Sequence, residues 1–280
     1  MNNNPSISIL MPMHNASIFL FEALDSVLQQ TFHEFEILVV DDGSTDNSIE
    51  IVKSYCDRRI RLIENTHDFI SSLNKGIDAS VGKYIARMDA DDLMLPNRIE
   101  IQYQFMETNP DIDICGSYAD AFGEMKGIMK RPVNHVDIVS SLLQTNPLMH
   151  PTIMMKRSIF QQSGFHYKYG YPCAEDYKLW TDLALRGFKF ANIPELLIRY
   201  RISPQQVTRT SRKEMFASSS KIGLEYAETV IEQMIGKEIQ YASLLNSLIK
   251  MFNNDLITSD VFLKTLFPLY RNFLQKHTIC

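Results

Sequence analysis

The sequence predicts an α/β fold: a mainly parallel sheet flanked by helices, followed by a C-terminal helical extension. Three observations carry that expectation. Through about the first 120 residues, short apolar runs of strand length alternate with stretches of helical periodicity, the mark of βαβ units. Several of those runs stop at acidic or polar clusters, and in α/β sheets ligands collect where strands end at their carboxyl side. Beyond about residue 205 the acidic clusters cease and an amphipathic helical pattern takes over.

Taken in order, Ser6 to Met11 is an apolar run ended by Pro12, and Phe19, Ala23, Leu24, Val27 and Leu28 then recur at helical spacing. Glu36 to Val40 is a second run, meeting Asp41-Asp42-Gly43-Ser44. A helix follows from about Asp46, with Ile49, Val52 and Cys56 on its inner face and Lys53 and Asp57 towards water. Ile60 to Ile63 leads into a helix over Phe69–Ala79, with Gly82 as its C-cap. Tyr84 to Met88 is the fourth run; Pro96 opens a helix through Met106, and Ile112 to Cys115 makes a fifth strand. Right-handed crossovers then line up the strand ends at residues 12, 41 and 88 on one edge of the sheet.

From Gly116 to about Gly170 the pattern loosens, with His150 to Met155 reading as a strand. Asp176 to Arg186 is a helix closed by Gly187, and Phe190 to Arg201 is a strand. In the tail, Ile222, Tyr226, Val230 and Met234 share a helix face. The division expected is residues 1–205 as one domain and 206–280 as a helical region.

Bulk properties bound the function. A hydrophobic fraction of 45% and a charged fraction of 22% over 280 residues describe an ordinary soluble protein with room for a sizeable core. A net charge of −5 argues against nucleic acid as a partner. Cys56, Cys115, Cys173 and Cys280 are scattered, with no Cys-x-x-Cys pair, and read as reduced thiols of a cytoplasmic protein. The N-terminus, Met1-Asn2-Asn3-Asn4-Pro5, lacks the regions of a signal peptide, and no apolar run is long enough to span a membrane.

The most informative segment is Tyr84-Ile85-Ala86-Arg87-Met88-Asp89-Ala90-Asp91-Asp92, a strand that stops at three carboxylates. Like charges this close repel unless a cation sits among them. Hard oxygen ligands at a strand end suit Mg²⁺ or Mn²⁺, commonly shared with substrate phosphates. A solvated turn or helix N-cap is the bland alternative. An EF-hand loop fits poorly, because counting from Asp89 the sixth position is Met94 rather than Gly. In the second cluster, Asp41 to Asp46, a Gly turn and an N-cap account for Gly43 and Ser44 but not for two adjacent carboxylates. One of these can accept a hydrogen bond from a base N–H. No Gly-Lys-Ser/Thr loop or Gly-x-Gly-x-x-Gly turn is present, which disfavours an ATPase or dinucleotide site. In the third, Glu175 and Asp176 open a helix, where they either suit its dipole or supply a general base towards a hydroxyl.

Together Pro12-Met13-His14-Asn15, Asp41 to Asp46, Leu73-Asn74-Lys75-Gly76, Asp89-Ala90-Asp91, Glu175-Asp176 and Tyr200-Arg201 resemble, in order and spacing, the family 2 glycosyltransferases, over about residues 6 to 205. The resemblance implies a GT-A fold, a nucleotide-sugar donor such as a UDP-sugar, Mn²⁺ or Mg²⁺, and inversion at the anomeric carbon. It implies that Asp42, with Asp41 beside it, binds the base along Pro12, His14 and Asn15. It likewise implies that Asn74 belongs to the donor site and that Asp91 holds the metal against the diphosphate. Asp89 lies near ribose, sugar and metal, Asp176 is the catalytic base, and Glu175 and His150 lie on the acceptor side.

Three departures stand out: His14 where many members have Tyr, Asp68 where Gly is common, and Ser203 where many carry His. Trp180 reads as core, and Arg201 either reaches a phosphate or is solvated. The acceptor expected is a hydroxyl of a glycan or lipid-linked carrier in surface polysaccharide biosynthesis, reached from the cytoplasm. The tail packs on the core by default; a dimer contact or peripheral contact with the inner face of the membrane are the other placements. Competing readings are a sugar-nucleotide nucleotidylyltransferase, which should carry an N-terminal Gly-rich loop with a basic residue, and a non-catalytic nucleotide-sugar-binding protein.

Overall fold

In the computed structural model the described residues are 5–204, 206 and 210–277; the first four residues and Cys280, both used above, lie outside them. Four strands open the chain: β1 (Ile7–Met13), β2 (Phe35–Asp41), β3 (Ile60–Glu64) and β4 (Tyr84–Arg87), alternating with α1 (Leu20–Leu28), α2 (Ser48–Ser54) and α3 (Phe69–Ala79). They pair in parallel in the order β3-β2-β1-β4. All seven residues of β1 and of β2 are buried, as expected of strands covered on both faces. The alternation of side chains assigns the two covers. Ile7, Ile9, Met11 and Met13 share a cluster with Leu20, Ala23, Leu24 and Val27 of α1, whereas Leu10 and Val40 face α3 at Gly76. The carboxyl ends of β1, β2 and β4 therefore share one edge, as the crossover rule requires.

Beyond β4 the sheet becomes antiparallel. It adds β5 (Leu93–Met94), β6 (Ile114–Gly123), β7 (Gly127–Met129), β8 (Met154–Lys156) and β9 (Phe190–Ile202), giving the order β3-β2-β1-β4-β8-β6-β9-β5, with β7 paired to β6. β8 runs antiparallel to both β4 and β6. The fifth predicted strand thus lies two places from β4, with β8 between them. Between these strands the chain also forms α4 (Arg98–Thr108) and α6 (Ser158–Ser163).

Three local expectations are corrected. Pro12 lies inside β1, opposite Val40, rather than ending it. Met88 N–H donates to Leu10 O at 3.0 Å, and Pro12, having no N–H, cannot make the return bond, so the β1–β4 ladder ends there. His150–Thr152 is a single 3₁₀ turn with Pro151 in it, and only Met154–Lys156 is strand. Gly82 does not cap α3, whose C-cap is Ser80. Gly82 is required by close approach instead: a Cβ there would lie 2.6 Å from Ser8 N, in backbone that cannot yield.

Packing divides the chain into two compact units. One gathers residues 1–131, 148–167 and 191–206. The other gathers 132–147, 168–190 and 207–280: α5 (His135–Ser141), α7 (Glu175–Leu185), α8 (Arg212–Lys237), α9 (Ala242–Asn253) and α10 (Ser259–His277). The C-terminal helices therefore pack with two earlier segments of the chain. In this second unit Trp180 is fully buried, as expected, and Tyr226 and Tyr270 meet at 3.2 Å between their hydroxyls. No described helix is long and apolar enough to cross a membrane. Cys56, Cys115 and Cys173 are free thiols.

Candidate active site

At the end of β2 two adjacent aspartates separate into different roles. Asp41 spends its carboxylate on its own turn, accepting from Gly43 N at 3.1 Å and Ser44 N at 3.2 Å, with Gly43 at φ +76°. Asp42 is as deeply buried, but only its Oδ1 is consumed, by Asp68 N at 2.7 Å and Ser72 Oγ at 2.8 Å. Its Oδ2 faces His67, whose Nδ1 lies 3.6 Å away. His14 and His67 flank the same residue, each with Nδ1 on Asp42 O, at 3.0 and 3.1 Å. Asn15, in the left-handed region at φ 49°, ties this loop to the next by accepting from Thr45 N at 2.8 Å.

Asp68, one of the departures, adds a helix cap beside this pocket. Its side chain caps α3 by accepting from Ser71 N at 3.0 Å, while its own N–H secures Asp42. Nearby, Asp46 accepts from Ser48 Oγ and Ser17 N. Burial favours its neutral form, but those hydrogen bonds win and hold it down to about 2.

At the end of β4, carboxylate oxygens of Asp89, Asp91 and Asp92 come within 4.8 Å of one another. Burial, then the charge of Asp89, pushes Asp91 up to about 6; burial and both neighbouring carboxylates push Asp92 well above the carboxylate range. Two arginines contain the repulsion. Arg87, buried beneath the cluster, lies 2.5 Å from Asp89 Oδ1. Arg201 donates from its backbone N to Asp92 Oδ1 and from Nε to Asp91 O, both at 2.7 Å. Its guanidinium is clamped between Phe19 at 4.0 Å and Phe122 at 4.5 Å, and it reaches Glu22 at 2.8 Å. Arg201 is thus neither solvated nor free; it fastens the acidic loop. Asp92 Oδ2 is buried and has no hydrogen-bond partner. An orphaned carboxylate oxygen amid crowded acids is what an all-oxygen divalent-cation site leaves when no cation is counted, so these residues fit Mg²⁺ or Mn²⁺.

The remaining candidates have definite partners. Asn74 clamps the backbone of Tyr167, donating to its O at 3.0 Å and accepting from its N at 2.9 Å. The Tyr167 hydroxyl meets His150 Nε2 at 2.7 Å. Burial, then the charge of Arg87, holds His150 well below its usual range and therefore neutral. In the second unit Glu175 and Asp176 form the first turn of α7. Asp176 Oδ2 accepts from Asn146 Nδ2 and Oδ1 from Tyr177 N, each at 2.7 Å, so the carboxylate is oriented.

The structure brings together His14, Asn15, Asp41 and Asp42 at one strand end and Asp89 with Asp91 at another. It joins Asn74 to His150 through Tyr167. Residues beyond the sequence expectation are His67, Arg87, Tyr167 and Asn146. Arg87 had a signal, since residues two apart on a strand share a face and Arg87 precedes Asp89 by two. His67, Tyr167 and Asn146 had none, being loop residues defined by distant contacts.

The chain is similar to several known proteins in sequence and, for solved structures, in fold. A glycosyltransferase of Haemophilus influenzae described as uncharacterized is 32% identical over the whole chain and 90% of its own length. The amylovoran biosynthesis glycosyltransferase AmsE of Erwinia amylovora is 29% identical over 72% of the chain and 78% of its own. Among solved structures, S. aureus TarS 1–349 in complex with UDP-GlcNAc superposes with a TM-score of 0.67 at 17% identity, over 81% of this chain and 70% of that one. The mannosyltransferase PcManGT from Pyrobaculum calidifontis, in complex with GDP-Man and Mn²⁺, gives 0.57 at 15% identity, over 97% and 87%. The fold is that of the GT-A glycosyltransferases. The family description "Glycosyl transferase family 2" matches residues 8–164, more than half of the chain. On the sequence match and the fold together, this chain belongs to glycosyltransferase family 2.

Proposed function

We propose that this enzyme transfers a sugar from a nucleoside diphosphate donor, most simply a UDP-sugar, to a hydroxyl of a glycan or lipid-linked acceptor. We place it in surface polysaccharide biosynthesis, on the cytoplasmic side. The observation that carries the reading is the convergence of Asp89, Asp91 and Asp92 with the orphaned Asp92 Oδ2. Supporting it, a fold neighbour was solved with UDP-GlcNAc and another with GDP-Man and Mn²⁺, and AmsE is a biosynthetic glycosyltransferase of amylovoran.

In this reading Asp91 and Asp89, joined by Asp92, would hold a divalent cation, which would supply Lewis-acid neutralisation of the diphosphate. The chain's own residues do the rest. Asp42 Oδ2, the oxygen left free by Asp68 and Ser72, accepts from a base N–H, with Pro12, His14 and Asn15 along the base. Asp41 shapes that loop from behind. Arg201 keeps the acidic loop in register, and Asn74 sets the Tyr167 segment against His150. Asp176, oriented by Asn146, draws the proton from the acceptor hydroxyl, with Glu175 beside it. The oxygen attacks the anomeric carbon opposite the leaving diphosphate, and one displacement inverts the centre.

Thermal-shift measurements with UDP, with and without Mn²⁺, test the donor site, and labelled nucleotide-sugars test turnover. Asp91→Ala should abolish both transfer and metal-dependent UDP stabilisation, whereas Asp176→Ala should abolish transfer alone. Wild-type turnover in Asp176→Ala overturns the base assignment; metal-independent UDP stabilisation overturns the cation site.

A further inference from the structure

We infer that His14, His67 and Asp42 form a second metal site, chemically unlike the carboxylate cluster, that takes a borderline transition metal of the Zn²⁺, Co²⁺ or Ni²⁺ kind. One ligand atom from each of the three side chains lies within 4.8 Å of the others. Of the ligand–ligand separations, His67 Nδ1 lies 3.6 Å from Asp42 Oδ2. Zinc bonds of about 2.0–2.1 Å in a tetrahedron require ligand atoms roughly 3.3–3.4 Å apart, so a small inward movement of the exposed rings completes the set. Both rings are anchored beside the carboxylate, with His14 Nδ1 and His67 Nδ1 at 3.0 and 3.1 Å from the Asp42 backbone carbonyl oxygen. The imidazole rings are already side by side, centroids 4.4 Å apart and tilted by 37°, with both Nδ1 atoms turned to the Asp42 carbonyl oxygen.

The donor set decides the metal. Two imidazoles with one carboxylate suit Zn²⁺, Co²⁺, Ni²⁺ or Cu²⁺, whereas the all-carboxylate site at the end of β4 suits Mg²⁺ or Mn²⁺. An outer layer fixes the carboxylate: Asp68 N and Ser72 Oγ hold Asp42 Oδ1, leaving Oδ2 for an ion. Without an ion, both Nδ1 atoms must carry protons to donate to the same carbonyl oxygen. Loading removes those protons. It also turns His14 Nε2, now facing Asn15 Nδ2 at 3.0 Å, into a donor; His14 is exposed, so water accepts from it as Asn15 lets go. Of the two histidines, His14 is itself one of the chain's departures, and His67 precedes another, Asp68.

The experiment is calorimetric titration of Zn²⁺ into the chelator-treated full-length protein, repeated with Co²⁺ read by visible absorption. One equivalent should bind at the histidines, beyond any that the carboxylate cluster takes up. His67→Ala and His14→Ala should each weaken it by about 100-fold or more, whereas Asp91→Ala should leave it unchanged. His67 is 73% exposed, so its removal leaves the fold intact, and circular dichroism checks this. Unaltered zinc affinity in His67→Ala overturns the site, as does loss in Asp91→Ala with retention in His67→Ala. A further arm rests on the proposed function: because Asp42 Oδ2 is offered to both, Zn²⁺ and UDP should compete. Zinc binding at the histidines without competition keeps the metal site and overturns the base placement.

Discussion

Acidity is the sharpest perturbation of the carboxylate cluster. Burial and repulsion raise Asp91 from an ordinary 3.8 to about 6, and Asp92 higher still. A cation binds only the ionised carboxylates, so protons compete with it. For a group titrating at about 6, the ionised fraction is about 90% at about pH 7 and about 10% at about pH 5, which alone weakens Mn²⁺ binding roughly ten-fold. Asp92, protonated over more of that range, steepens the fall, so ten-fold is a floor. An exposed acidic turn titrating near 3.8 would lose only about a tenth of its affinity over the same interval. Isothermal titration of Mn²⁺ at about pH 5, 6 and 7 separates the two cases. A flat affinity refutes the reasoning that these carboxylates are crowded and buried.

The linkage has a sign that checks it independently. A raised carboxyl contributes stability that is fully present below its ordinary value and lost as pH rises through the folded value. The metal-free protein should therefore lose melting temperature between about pH 4 and pH 6 from this group, and Mn²⁺ should restore it above about pH 6. Metal-free stability that rises through that interval in wild type, and equally in Asp91→Asn, would place the shift elsewhere.

Three further perturbations follow from single contacts. Gly82→Ala drives a methyl into backbone 2.6 Å away and should cost about 2–3 kcal/mol or more, read as a fall in the denaturant midpoint at constant slope. Arg201→Lys removes the Nε bond to Asp91 O and the planar stack on Phe19 and Phe122; with a charged hydrogen bond worth about 1.5–3 kcal/mol, Mn²⁺ affinity should fall roughly ten-fold with UDP-base contacts untouched. Asn146→Ala withdraws a donor from the Asp176 carboxylate, so the acid limb of the pH–kcat profile should move upward while the donor KM holds; an unmoved limb would make Asn146 merely structural.

What the sequence makes legible here is what periodicity can encode. The helix over Phe69–Ala79 and the edge formed by β1, β2 and β4 follow from local apolar spacing and the handedness of crossovers. So do the acidic strand ends, because the clusters are contiguous. What stays hidden is contact at long separation. Gly82 reads as a helix cap until Ser8, 74 residues earlier, is seen against it. Arg201 reads as either phosphate-reaching or solvated until Asp91, 110 residues before it, accepts its Nε–H. The antiparallel half of the sheet is illegible for a related reason: β8 has three residues, too few to show a period, and its place between β4 and β6 is set by partners.

The two acidic strand ends also show why residue type alone cannot assign a site. Asp41 and Asp42 are neighbours, equally buried, and identical in charge. Yet backbone N–H groups saturate the first, and only one oxygen of the second is taken. In the other cluster Asp92 resembles Asp42: Arg201 N satisfies Oδ1 and leaves Oδ2 with nothing. A carboxylate oxygen kept dry and unpaired costs free energy that the fold must recover elsewhere. A strand end that keeps such an oxygen is therefore better explained by a ligand than by architecture. By that criterion Asp92 is the carboxylate that calls for a ligand and Asp41 faces its own loop, while Asp42 Oδ2, with His67 Nδ1 3.6 Å away, stands between the two. The difference lies in donor supply, which only the folded chain sets.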